Sequence, residues 1–256
     1  MIRRSFLQAL GTLGATAGAA AGPDDKTRFY TLETFFMKNG DQGGRLNDFV
    51  SKAFLPAARK VHTGPMIFLE GLVAPHMPQF ATVMGFKSAA EAMSLWTRLH
   101  EQEGYSEAVA RWENEANAPY EHASLTLLEA ADYSPEIRIG EPAKAPRVFE
   151  LRVYHSPTWR QLAALHERFS GPEIRIFHRC GIHPLLYAST VFGTNLPNLT
   201  YLIPFDDLAA REKAWNAFTG DPEWLKVRKE STEKHGQISS VIQVALYKAT
   251  PYSPIR

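Results

Sequence analysis

A single cysteine, Cys180, excludes any disulfide within the chain, so stability must come from packing. An excess of either charge is missing as well. The 28 basic and 27 acidic residues leave a formal +1, with neither a nucleic-acid footprint nor an acidic tail. G-x-S-x-G, P-loop, G-x-G-x-x-G and H-E-x-x-H patterns are all absent. The nine histidines include the pair His178 and His183 but show no ligand spacing, so no metal site is expected. Catalytic residues therefore stay unknown at this level.

What is present is core material: 45% of residues are hydrophobic and 11% aromatic, which argues against disorder. The first 22 residues stand apart. Arg3-Arg4-Ser5-Phe6-Leu7 precedes a weakly apolar run with small residues at Ala17, Ala19 and Ala21, the pattern of a twin-arginine export signal. That implies export to the periplasm or cell envelope, and the run is too weakly apolar for a permanent span.

The remainder reads as one unit written twice. Thr27–Phe36 alternates as a strand, and Leu46–Phe54 has helical spacing until Pro56, which should interrupt it. Pro65–Val73 and Pro78–Phe86 read as strands. A helix capped by Ser88, with Glu91 completing a capping box, runs to about His100. A second helix carries Tyr105, Val109 and Trp112, and Glu121–Ala130 closes the first unit.

Pro135–Pro146 has linker composition, and the order then repeats. Arg147–His155 is a strand, Thr158–Phe169 and Pro172–Cys180 are helical, and Pro184–Phe192 and Pro197–Phe205 are strands. Asp207 caps a helix, Asp221-Pro222 opens a short one, and Ser239–Lys248 closes. Phe205 lies 119 positions after Phe86, and Trp215 lies 119 after Trp96. Tyr252-Ser253-Pro254 follows Tyr133-Ser134-Pro135 at the same shift.

These observations set the expected fold: α+β, with tandem ferredoxin-like βαββαβ repeats at 27–135 and 147–256 joined by a linker at 136–146. A four-stranded antiparallel sheet with helices on one face leaves the other face bare. Two such sheets packed face to face cover each other, giving a barrel-like core within one chain.

The opening strands carry the candidate chemistry. Leu32 and Leu151 are read as facing the helices, which would put Glu33, Glu150, Arg152 and Tyr154 between the sheets. Charges there must be paired or hydrated. The alternatives are a structural Glu–Arg pair across the duplication and a polar cavity for a small carboxylic, carbonyl or phenolic ligand. Glu70, Tyr187 and Tyr201 on the hairpin strands are further ligand-binding candidates. On the cavity reading, Arg152→Ala would weaken binding and spare folding.

The residues Phe149-Glu150-Leu151-Arg152-Val153-Tyr154, the run FDDLAARE from Phe205 and the D-P-E-W at Asp221 resemble the NIPSNAP family, which is similar to the dimeric α+β barrel group. Arg147–Tyr252 carries the closer likeness; the first half has FKSAAEA in place of FDDLAARE and lacks D-P-E-W. The resemblance implies an exported small-molecule binder of uncharacterised activity. It leaves open a cofactor-independent or haem-dependent monooxygenase of the barrel group, or a protein-interaction scaffold. No cofactor is predicted, with haem and homo-oligomerisation left open.

Overall fold

Alternate residues of the strands, among them Tyr30, Ile67, Val83, Phe149, Leu202 and Tyr247, form an apolar layer where the two halves meet, and the chain closes around it. The computed structural model describes residues 26–113, 118–138 and 147–256. The segment 1–22, expected to be an export signal, lies outside them, as does most of the expected linker.

The first half contributes β1 (Phe29–Phe36), β2 (Met66–Val73), β3 (Gln79–Phe86) and β4 (His122–Ala130). The second contributes β5 (Val148–His155), β6 (Leu186–Phe192), β7 (Asn198–Phe205) and β8 (Val241–Ala249). Each half orders its strands as a split βαβ unit, and the whole closes as β1-β3-β2-β8-β5-β7-β6-β4. The strands are antiparallel throughout. The two seams are related by the repeat: Leu69 pairs with Ala249 where β2 meets β8, and Ala188 pairs with Ala130 where β6 meets β4. The expected face-to-face sheets are therefore one continuous closed barrel, which removes every sheet edge.

Helices cover the outside. In the first half α1 (Gln42–Phe49) and α2 (Leu55–Val61) are joined by a π-helical turn, Val50–Phe54. Pro56 does not end this helix; it sits in the first turn of α2, where no N–H is needed. The second half repeats the device: α5 (Trp159–Arg168), a π turn at Phe169–Glu173, then α6 (Ile174–Arg179). Between them lie α3 (Ala89–His100) and α4 (Tyr105–Glu113), and after them α7 (Leu208–Thr219) and α8 (Pro222–His235). The caps are in place. Ser88 accepts from the Glu91 N–H at 3.1 Å, Asp207 from Ala210 at 2.7 Å, and Asp221 from Trp224 at 3.0 Å. Helix α8, expected to be short, runs 14 residues because Asp221-Pro222 starts it cleanly.

The matched Tyr-Ser-Pro segments cross between the halves. Ser134 Oγ accepts the N–H of Tyr187 at 3.0 Å, and Ser253 Oγ accepts the N–H of Phe68 at 3.0 Å. Among the described residues no helix is long and apolar enough to cross a membrane.

Candidate functional site

The opening strands present the reverse of the expected faces. Leu32 and Leu151, with Tyr30 and Phe149, point into the barrel and join Leu202 and Tyr247 in its core. Glu33, Glu150, Arg152 and Tyr154 consequently face the helices. The reason is physical: both sides of each sheet are buried, so an apolar residue on a strand does not say which side is which. Among the described residues the barrel interior holds no charged cluster. Within it lies a cavity of about 200 Å³ lined by neutral groups such as Thr34, Gln79, Asn198, Thr200 and Gln243.

In the second half the space between sheet and helices is closed. Glu150 is fully buried. Its carboxylate accepts from Arg152 Nη1 at 2.6 Å, Arg211 Nε at 2.7 Å and Trp215 Nε1 at 2.8 Å. Arg152 lies over the Trp215 ring at 4.2 Å and donates to Tyr154 Oη at 3.2 Å. The Glu–Arg pair thus lies within one half rather than across the duplication. Behind it, Phe169 sits against Tyr187 and Tyr201, centroids 5.5 and 5.7 Å away. Glu173 is held by Arg168 at 2.7 Å, yet burial outweighs that cation and pushes its carboxyl up to about 7.

Glu70 is separate from this group. It sits at the rim of the first half, accepting from Asn47 Nδ2 at 2.6 Å, and Asn47 in turn accepts from Tyr252 at 2.7 Å.

The first half opens where the second is closed. At the shift of 119, Glu33 stands where Arg152 does, Thr82 where Tyr201 does, and Phe54 where Glu173 does. Thr82 is the ladder partner of Glu33 on one side and Leu125 on the other. Without the bulk of a tyrosine at 82, a cavity of about 270 Å³ remains between β1 and the helices. Its walls are rings: Phe35 and Tyr120 at 5.2 Å, Phe49 stacked on Trp112 at 4.3 Å, with Phe54, Trp96 and Tyr105 completing the enclosure.

Polar groups in this cavity lack partners. Among the described residues Glu33 has no hydrogen bond and no ion pair, and burial pushes its carboxyl up to about 7. Tyr105 Oη and Trp112 Nε1 are buried and unbonded. Burial first, then the charges of Glu33 and Glu113, raise the Tyr105 phenol. Unpaired buried donors and a lone carboxyl are costly in a folded chain, and a concentration of them marks a place for a polar guest.

Of the residues singled out from sequence, the structure gathers Glu150, Arg152, Tyr154, Tyr187 and Tyr201 into the closed layer. Glu33 alone reaches the open one. Tyr105, Trp112 and Tyr120 were missed as site residues. The signal was available: the repeat breaks its own pattern at 33/152 with a reversal of charge, and at 82/201 with a large change of volume.

The residues present do not fit haem. The second half's layer is filled by rings, and His166 has both ring nitrogens engaged, by Tyr133 and Ser189 at 2.7 Å each. The first half's cavity, at about 270 Å³, has room for a one- or two-ring guest but not for a haem macrocycle. Among the described residues there is no cluster of three metal-ligating groups.

Comparisons with known proteins agree with this architecture. The NIPSNAP family model matches residues 149–254. The fold is similar to the crystal structure of an anthrone oxidase-like protein, at 14% identity and a TM-score of 0.56, covering 90% of this chain and 94% of that one. A putative monooxygenase from Lactobacillus acidophilus NCFM matches at 9% identity and 0.52, covering 87% and 93%. Chlorite dismutase from Candidatus Nitrospira defluvii matches at 8% and 0.50, covering 89% and 92%. At these identities the likeness is one of fold. A salivary alpha-glucosidase of Anopheles gambiae is 29% identical over 147 residues, 57% of this chain, and the chain spans only 23% of that curated relative's length.

Proposed function

From a chain that carries a NIPSNAP domain over residues 149–254, we propose a small-molecule-binding protein whose site lies in the other half, in the ring-walled cavity at Glu33. The second half serves as the scaffold that holds the barrel closed. The observation that carries this reading is the contrast between the two carboxyls: Glu150 accepts from Arg152, Arg211 and Trp215, whereas Glu33 has no hydrogen bond or ion pair among the described residues, in a cavity whose wall includes the unbonded Tyr105 hydroxyl and Trp112 N–H. Seven aromatic rings in a cavity that also holds Glu33 and Glu113 suit a flat aromatic guest bearing an oxygen, held by stacking and one or two hydrogen bonds. An interaction scaffold would give no reason for the open cavity.

The test uses the second half as the template for closure. Thr82→Tyr places the Tyr201 side chain at the equivalent site, and 2-naphthol binding is followed by quenching of Trp96 and Trp112 fluorescence. The wild-type protein should bind, and the variant should lose about tenfold or more in affinity, roughly 1.4 kcal/mol. Where Thr82→Tyr folds poorly, Val109→Trp fills the same space from α4. Equal binding by the filled variants, or none by the wild type, counts against the site.

The same reading places the protein in the periplasm or cell envelope, supported by Arg3-Arg4 ahead of the small-residue run. Fractionation should find the Arg3→Lys, Arg4→Lys double variant retained in the cytoplasm. Undiminished export of that variant would overturn it.

A further inference from the structure

We infer that the cavity performs proton abstraction, with Glu33 as the base, on an aryl-bearing ketone whose oxygen is received by the Tyr105 hydroxyl and the Trp112 indole N–H. This rests on the site reading above and goes beyond binding.

The argument begins with what a simple binding pocket would not need. An aromatic guest is held by rings, and a carboxyl among them adds a desolvation cost with no return unless it meets a proton. Glu33 has no arginine, although the equivalent strand position in the other half is Arg152. A neutralising cation would hold the carboxylate ionised and weaken it as a base. Its absence leaves a carboxyl that takes up a proton readily near neutrality, the property a general base requires.

The donors complete the arrangement. Tyr105 and Trp112 line the cavity, and the Tyr105 hydroxyl and the Trp112 N–H are both buried and unbonded. Fixed donors in a dry site stabilise charge that develops on a carbonyl oxygen. The titratable groups that face Glu33 across the cavity are His100 from α3, Tyr105 and Glu113 from α4, and Tyr120. None of these is an arginine or lysine.

The step balances without an oxidant. A C–H bond next to the carbonyl breaks, the proton goes to a Glu33 carboxylate oxygen, and the electron pair moves to the ligand oxygen as an enolate. Glu33 exchanges that proton with water at the cavity mouth and returns a solvent proton to carbon.

The measurement is deuterium incorporation into 2-tetralone in D2O, followed by NMR, alongside binding of the same probe. The wild-type protein should accelerate exchange over buffer. With the probe at saturation for each protein, Glu33→Gln should lose roughly 100-fold in exchange rate. Thr82→Tyr should lose both binding and exchange. A Glu33→Gln variant that exchanges as fast as the wild type overturns the inference, as does wild-type binding with no exchange. Failure of the wild type to bind 2-tetralone or 2-naphthol would instead remove the site itself, and the inference with it.

Discussion

Glu33→Gln raises the stability of the protein by about 1–3 kcal/mol at pH 8 and leaves it unchanged near pH 4. The carboxyl titrates near 4.5 in the unfolded chain and near 7 in the fold. Below the lower value both states are protonated and the substitution changes little. Between the two values the folded chain holds a proton that the unfolded chain has released, so wild-type stability falls as pH rises. Above about 7 the loss is complete. The full shift would be worth roughly 3 kcal/mol, and the lower part of the range reflects water contact through the cavity mouth. For a chain of this size each kcal/mol moves the melting temperature by about 2–4 °C. Thermal unfolding of wild type and variant at both pH values decides the matter. Destabilisation by glutamine at pH 8 would show that Glu33 has a structural partner after all.

Glu150→Ala costs about 3–5 kcal/mol, and Arg152→Ala is similarly severe. Removing the carboxylate leaves Arg152, 13% exposed at its side chain, against aromatic rings without its hydrogen-bonded counter-charge. It also strips Arg211 and the Trp215 indole of their acceptor. Replacing Glu150 and Arg152 together by leucine recovers part of the loss, because no unpaired buried charge then remains at those two positions. Urea unfolding of the single and double variants measures this. Binding of 2-naphthol to folded Glu150→Ala should match the wild type. The sequence-level expectation for Arg152→Ala, weakened binding with folding spared, is thereby reversed.

Much of the architecture was legible because the chain states it twice. Ser88, Asp207 and Asp221 are caps by residue type and position, and a constant shift of 119 ties the strands of one half to those of the other. The facing of the strands was not legible. Leu32 is apolar whether it meets helices or barrel core, and in a sheet buried on both sides alternation carries no sign. The helix at Pro56 was misjudged because proline is a breaker only where its N–H is missed.

The site was half visible. Glu33 stood out as a charge on an aromatic strand, but its isolation depends on rings brought in from 96, 105, 112 and 120, which no local pattern assembles. The disagreements between the copies, acid against base at 33/152 and small against large at 82/201, point to the cavity better than the agreements do. Agreement between repeats reports the common scaffold; disagreement reports where one copy was released from it.

The crossed attachment of Ser134 to Tyr187 and of Ser253 to Phe68 has a bearing on what a half of this chain is. Each copy ends in a clasp whose eye is sewn into the other. A fragment holding one copy would carry a hook with nothing to catch, and an empty eye beside two raw strand borders. Severing the covalent join between the copies would therefore cut only thread: the fastening is mutual, and the two pieces belong to one garment.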